Sequence, residues 1–182
     1  MNTKSSLIDT LNLLPHPEGG YYRETYRSQE TCTPQRGVRS VSTGIYFLLG
    51  LQDRSRFHVI ASDEMWHHYD GVPLEIHEIN PQGEYIITLL GSDLTQGQVP
   101  QYTVSKGHIF GSKLAPPSTQ HSTQRSSSLC KEEYTLVGCT VAPGFDFNDF
   151  TLFSTQELIS QYPHLHDRIH AFFKNGSKDI KH

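Results

Sequence analysis

The 182 residues carry 15 Lys and Arg against 19 Asp and Glu, a formal net charge of −4 with a pI near 6.2, which argues against nucleic acid or an anionic membrane as the main partner. Hydrophobic residues make up 35% and charged residues 19%, as expected of one globular domain long enough to bury a sizeable core. Cys32, Cys130 and Cys139 form neither a CxxC pair nor a secreted framework, and no segment approaches the ~20 apolar residues of a membrane helix, so a soluble, cytoplasmic protein is expected.

Leu7, Ile8, Leu11 and Leu14 stand at helical spacing. They predict a short amphipathic helix over 6–14, capped by Ser5 or Ser6 and stopped by Pro15 and Pro17. HPEGGYYRETYRS, residues 16–28, follows. Gly19–Gly20 is a flexible joint. Beyond it Tyr22, Glu24 and Tyr26 alternate with Tyr21, Arg23, Thr25 and Arg27, the period of a strand. As an edge strand it turns its charges to solvent. In a functional setting Arg23 or Glu24 stands at a pocket mouth and touches a ligand.

Residues 29–40 are polar and turn-like. VSTGIYFLLGL, residues 41–51, is apolar enough for a strand buried on both faces. SRFHVIASDEMWHHYDG, residues 55–71, is the most chemically loaded stretch. Two strands joined at Ala61–Ser62–Asp63 place Glu64, Trp66 and His68 on one face and Met65, His67 and Tyr69 on the other. His58 is expected on the neighbouring strand, facing the same pocket. Strands are predicted at 73–80 (PLEIHEIN), 84–91, 101–104 and 108–112, with loop over 93–100. Residues 113–132 lose all periodicity and are rich in Pro, Ser, Thr and Gln, so a mobile surface loop is expected there, holding His121 and Cys130. EYTLVGCTVAPGFDF, residues 133–147, returns to strand, with Cys139 as a small buried hydrophobe. Ser154 and Glu157 form a capping-box pattern, Pro163 breaks the chain, and Leu165, Ile169, Phe172 and Phe173 mark a second amphipathic helix. Eight to ten short strands without βαβ alternation mean an antiparallel sandwich or barrel.

His58 and Glu64 with His67 or His68 are types that hold iron, manganese or zinc. The adjacent pair His67–His68 points to opposite faces of a strand, so both cannot serve one ion. For acid–base chemistry, His58 and His68 are candidate bases and Tyr46 and Tyr69 candidate acids. Arg23, Glu64, Trp66 and His77 complete the candidate ligand-binding set. Trp66 would stack on a sugar face. There is no nucleophile elbow, phosphate loop or dinucleotide fingerprint.

HPEGGYYRETYRS, SRFH…SDEMWHHYDG, PLEIH and above all LVGCTVAPGFDFNDF resemble the Cupin-5 group, a cupin family of unknown function, over about residues 7–163. The resemblance implies an all-β fold: one cupin domain, a double-stranded β-helix or jelly-roll barrel with short terminal helices, usually a homodimer. It also implies similarity in fold to dTDP-sugar 3,5-epimerases. In the general cupin metal pattern His58 matches the first histidine, Glu64 the glutamate, Gly71 and Gly107 the glycines. Ile60 and Phe110 stand where two further histidines belong. No metal and no cofactor are therefore expected. Three functions remain open: a small-molecule isomerase or epimerase on a carbohydrate-like ligand, a binding or storage protein without turnover, and a metal-dependent oxygenase.

Overall fold

Alternation of inward and outward side chains from residue 21 onward builds two antiparallel sheets that face each other across one core. The computed structural model describes residues 2–116 and 133–174. The first sheet runs in the order β1 (Leu14–Pro15), β2 (Tyr21–Arg27), β5 (Thr43–Gly50), β12 (Tyr134–Ala142), β7 (Asp63–Gly71) and β10 (Gln101–Val104). The second runs β13 (Phe150–Leu152), β6 (Ser55–Ile60), β11 (Ile109–Leu114), β8 (Leu74–Ile79) and β9 (Tyr85–Leu90). A small hairpin, β3 (Thr31–Cys32) with β4 (Arg39–Ser40), stands apart. The strand pattern predicts an antiparallel sandwich or barrel, and the architecture is the jelly-roll barrel that the family resemblance implied. Thirteen strands are found among the described residues, more than the expected eight to ten, because three of them are two-residue pieces.

Period two decides what lies between the sheets. Phe47, Leu49, Trp66, Leu74, Ile76, Phe110, Val137, Cys139 and Val141 share the barrel core. Helices cover part of the outer face of each sheet. Helix α1 (Lys4–Leu11) lays Leu7 over Leu48. Helices α2 (Thr155–Gln161) and α3 (His166–Phe173) bury Leu158, Ile169 and Phe172 against Phe57, Ile79 and Ile109. Residues 47–50 of β5 are thus buried on both faces, as their apolar run demanded; residues 44–46 are only partly covered.

Several local expectations shift by a few residues. Helix α1 is capped by Thr3 rather than Ser5 or Ser6; Ser6 completes a capping box from inside. It ends at Asn12, in the left-handed region at φ 51°, before either proline acts. The Ser154–Glu157 box caps α2 as read. Residues 93–100 hold a short 3-10 turn, Leu94–Gln96. Of the loop expected at 113–132, Lys113 and Leu114 instead end β11 and Leu114 is buried, and residues 117–132 lie outside the described residues. His121 and Cys130 lie outside the described residues. Among the described residues no helix is long and apolar enough to cross a membrane.

Candidate functional site

One end of the barrel stays open. A cavity of about 480 Å³ is lined from both sheets and from the segments that close them. His58 and Ile60 come from β6, Glu64 from β7, Thr43, Ile45 and Phe47 from β5, Cys139 and Val141 from β12, and Tyr22 and Glu24 from β2. β6 and β7 are consecutive in the chain but do not pair. The turn at residues 61–62 carries the chain from one sheet to the other. His58 therefore sits on the opposing sheet, not on a strand beside Glu64, and both line the same cavity.

Two further polar groups arrive from the segment before β2. His16 and Glu18 line the cavity. Gly19 and Gly20 make this entry possible. Both have positive φ, at 112° and 71°, and a side chain at 19 would strike the Arg54 carbonyl. Sequence reasoning treated HPEGG as a joint and missed both residues. The available signal was a His and a Glu packed beside Pro17 against a double glycine, where a solvated loop has no need of close backbone approach.

The polar floor is buried. His58 is 2% exposed, Glu18 6% and Glu64 7%. His58 Nδ1 lies 2.7 Å from the Arg56 carbonyl, which only accepts, so Nδ1 carries the proton and Nε2 is the basic nitrogen. Glu18 Oε2 is 3.3 Å from the same Nδ1 and 3.6 Å from His16 Nδ1. His16 Nδ1 accepts from the Glu18 backbone N–H at 3.3 Å. Burial lowers the pKa of both imidazoles, against the pull of the neighbouring carboxylates. They are neutral rings at neutral pH, and their contacts with Glu18 are polar contacts rather than full ion pairs. Burial acts the other way on the acids. Glu18 rises from 4.5 to about 6, with His16 opposing. Glu64 rises from 4.5 to about 7, with His58 opposing and Glu18 adding to the rise. The Cys139 thiol, hydrogen-bonded to Glu64, is pushed well up by burial and by that carboxylate, so it stays protonated.

Aromatic rings form the walls. His16 meets Tyr22 edge to face, with centroids 4.5 Å apart. Phe145, Phe147 and Phe150 line the cavity beyond the end of β12. A clasp holds this wall in place. Arg39 donates twice to Asp149, at 2.8 Å to each oxygen, and Arg36 donates to Asp149 at 2.9 Å and to Ser62 at 2.6 Å. Arg27 stands at the mouth, with Nε and a terminal nitrogen on Glu24 at 2.9 and 2.7 Å.

The remaining candidates lie elsewhere. Trp66 does face inward, but it is 1% exposed and packed in the core against Phe47 and Phe110, with no surface for a sugar to stack on. His68 is four residues beyond Glu64, about 13 Å at strand rise, and its Nε2 lies 3.4 Å from the Val72 carbonyl. Tyr46 falls between inward Ile45 and Phe47, so it faces outward. Arg23 lies over its ring at 5.7 Å and Tyr69 meets it at 6.1 Å. Tyr69 is 53% exposed and lies across Gly138, where a Cβ would collide with its hydroxyl. His77 also faces outward, beneath α3, between Glu75 and Tyr85 at 2.9 Å each. Of the pocket-mouth pair, Glu24 lines the cavity and Arg23 does not.

The residues present do not fit a metal of the kind the fold accommodates. Phe110 pairs in register with His58 and packs on its ring at 4.2 Å, and Ile60 adds an apolar side chain to the wall. Among the described residues no group of three His, Cys, Asp or Glu is arranged to hold an ion.

Comparisons with known proteins bear on the fold and the family. A structure of a Shewanella oneidensis protein matches at 37% identity and a TM-score of 0.81, covering 98% of this chain and all of that one. A hypothetical protein from Leishmania major matches at 35% identity and a TM-score of 0.81, over 97% of this chain and all of that one. An uncharacterized protein of Saccharomyces cerevisiae is 26% identical over 165 residues, 83% of this chain and 75% of that protein. Oxalate decarboxylase from Bacillus subtilis, at 12% identity and a TM-score of 0.53 over 90% of this chain and 37% of that one, shares the fold alone. The family model described as Cupin superfamily (DUF985) matches residues 5–153, and the chain belongs to that family.

Proposed function

We propose that the protein is a small-molecule isomerase or epimerase that works by proton transfer inside the barrel, on a ligand with a carbohydrate-like hydroxylated ring. The observation that carries this reading is the pairing of a buried neutral imidazole, His58, with a buried carboxyl, Glu64, held near pKa 7, on the floor of one cavity. A base and an acid whose pKa values lie near the working pH transfer protons most effectively. His58 Nε2 takes a proton from carbon beside a carbonyl, and protonated Glu64 donates to the oxygen that gains charge. His58 returning its proton to the neighbouring carbon moves the carbonyl, while a proton delivered to the first carbon on its other face by solvent at the open mouth inverts it; in both cases the Glu64 carboxylate takes back a proton from the oxygen as the carbonyl re-forms. Glu64 thus takes the part for which Tyr46 and Tyr69 were candidates. Tyr22 and the phenylalanines offer faces for the apolar side of a ring.

The test has two arms. Incubation in heavy water with a panel of aldoses, ketoses and amino sugars, read by mass spectrometry, should show deuterium entering one class of ligand. His58→Ala and Glu64→Gln should each abolish that exchange and keep a folded circular-dichroism spectrum. Tight ligand binding by native mass spectrometry with no exchange in any bound ligand would favour a binding protein without turnover.

A further inference from the structure

Acidic groups outnumber basic ones around the cavity. Glu18, Glu24, Glu64 and Asp146 line it, and among the described lining residues Arg27 is the one permanent cation. Arg27 is already engaged: Glu24 takes two of its hydrogen bonds and the Phe145 carbonyl a third at 3.2 Å. His16 and His58 face the cavity as neutral rings. An anionic ligand would meet buried carboxyls with no free positive charge to balance it, an arrangement that burial makes severe.

The walls favour the opposite sign. Phe145 and Phe147 stand at 82° with centroids 5.0 Å apart, Phe147 and Phe150 at 81° and 6.1 Å, and Phe145 and Phe150 at 70° and 6.0 Å. Rings set nearly at right angles meet edge to face, and all three line the cavity. An aromatic ring carries a quadrupole whose negative lobe attracts a cation within about 6 Å. Carboxyls on the floor and aromatic rings in the walls are the chemistry that recognises an organic ammonium.

We propose that the cavity takes a small organic cation, an amine carried on an apolar or sugar-ring body, and rejects the matching carboxylate or phosphate. The inference deepens the proton-transfer reading, resting on it only for the cavity being the ligand site. A bound ammonium gives the buried carboxyls a permanently charged partner beside the neutral imidazoles and thiol they already contact. Glu64 then ionises, and binding releases a proton at neutral pH.

The experiment is titration calorimetry of the full chain with two matched sets: phenethylamine, 2-phenylethanol and phenylacetate; glucosamine, glucose and glucuronate. In at least one set the amine should bind about tenfold or more tightly than its neutral and anionic counterparts. For phenethylamine, whose ammonium keeps its charge across the range, affinity should rise between about pH 6 and 8, with proton release seen in buffers of different ionisation enthalpy; glucosamine, which sheds its own proton near neutrality, is compared at about pH 6. Glu64→Gln should lose the proton release and about tenfold in affinity. The pH dependence of the unmodified protein stands on its own if the variant fails to fold. An alcohol, sugar or carboxylate that binds as tightly as its amine overturns the proposal, and so does the absence of binding by either amine at about 10 mM. An amine that binds without hydrogen exchange leaves this inference standing and removes the proton-transfer reading. Exchange into an anionic ligand, lost in His58→Ala, does the reverse.

Discussion

Glu64 is the residue on which pH should act most visibly. Its carboxyl sits near 4.5 in the unfolded chain and at about 7 in the folded one. The folded state therefore holds the proton more tightly, and the stability this contributes is complete below 4.5 and lost as pH rises to about 7. His58 has the opposite sign. Its folded pKa lies below 6.5, so its contribution is present above 6.5 and lost as pH falls. Comparing Glu64→Gln with the unmodified protein isolates the carboxyl. Between about pH 5 and 8 the unmodified protein should lose on the order of 1–3 kcal/mol relative to the variant, measured by urea unfolding; parallel pH profiles would contradict a carboxyl held near neutrality. Phe110 and Ile60 carry a second expectation at this scale. With an aromatic ring against His58 in place of a donor, purified protein should hold less than about 0.1 transition metal per chain, and near-unit iron, manganese or zinc by elemental analysis would count against it.

Two elements deserve separate tests because they serve different ends. The segment His16–Gly20 delivers polar side chains to the cavity through backbone that a Cβ would block. Gly19→Ala should lower stability by about 1–3 kcal/mol and weaken ligand binding with it, measured by melting and calorimetry. The outer face of β8 does something else. His77 is buried beneath α3, edge-on to Phe172 at 4.9 Å and hydrogen-bonded to Glu75 and Tyr85. Burial pushes the Tyr85 phenol well above its ordinary value, so its hydroxyl stays protonated and donates to His77. His77→Ala should cost about 1–3 kcal/mol of stability, the price of an orphaned buried partner, and leave affinity at the cavity unchanged. A drop in affinity at constant stability would place His77 in the site after all.

At the scale of the whole molecule, the outer face of the six-stranded sheet is the surface that asks for a partner. Arg23, Tyr46, Tyr69 and His67 form a run in which the guanidinium lies over the Tyr46 ring, Tyr46 meets Tyr69 edge to face, and Tyr69 and His67 are nearly parallel at 11°. Tyr69 and Met65 are exposed there. Along the edge of β2, residues 23–27 have no strand beyond them among the described residues, since β1 covers only Tyr21 and Tyr22. We expect a homodimer formed through this face and edge, with Tyr69 and Tyr46 at its centre. Light scattering at micromolar concentration should give twice the chain mass, and Tyr69→Glu should shift it to monomer. A monomer in the unmodified protein would refute the expectation.

Period two along DEMWHHYDG and TGIYFLLG was enough to send Glu64 and Trp66 inward, and the same rule read along β5 would have sent Tyr46 outward. The family motifs placed His58 and Glu64, and their apolar replacements at 60 and 110, before any coordinates. What sequence alone could not decide was depth. Glu64, Trp66 and His68 share a face, yet one lines the cavity, one is sealed in the core and one lies farther along the barrel, because a strand advances about 3.3 Å per residue and the cavity spans only part of its length. Nor could local pattern show that β6 and β7 belong to opposite sheets, or that His16 and Glu18 fold back over them. Those contacts join residues 16–18 to residues 58 and 64. They exist because two antiparallel sheets close on each other, and closure is a property of the whole chain.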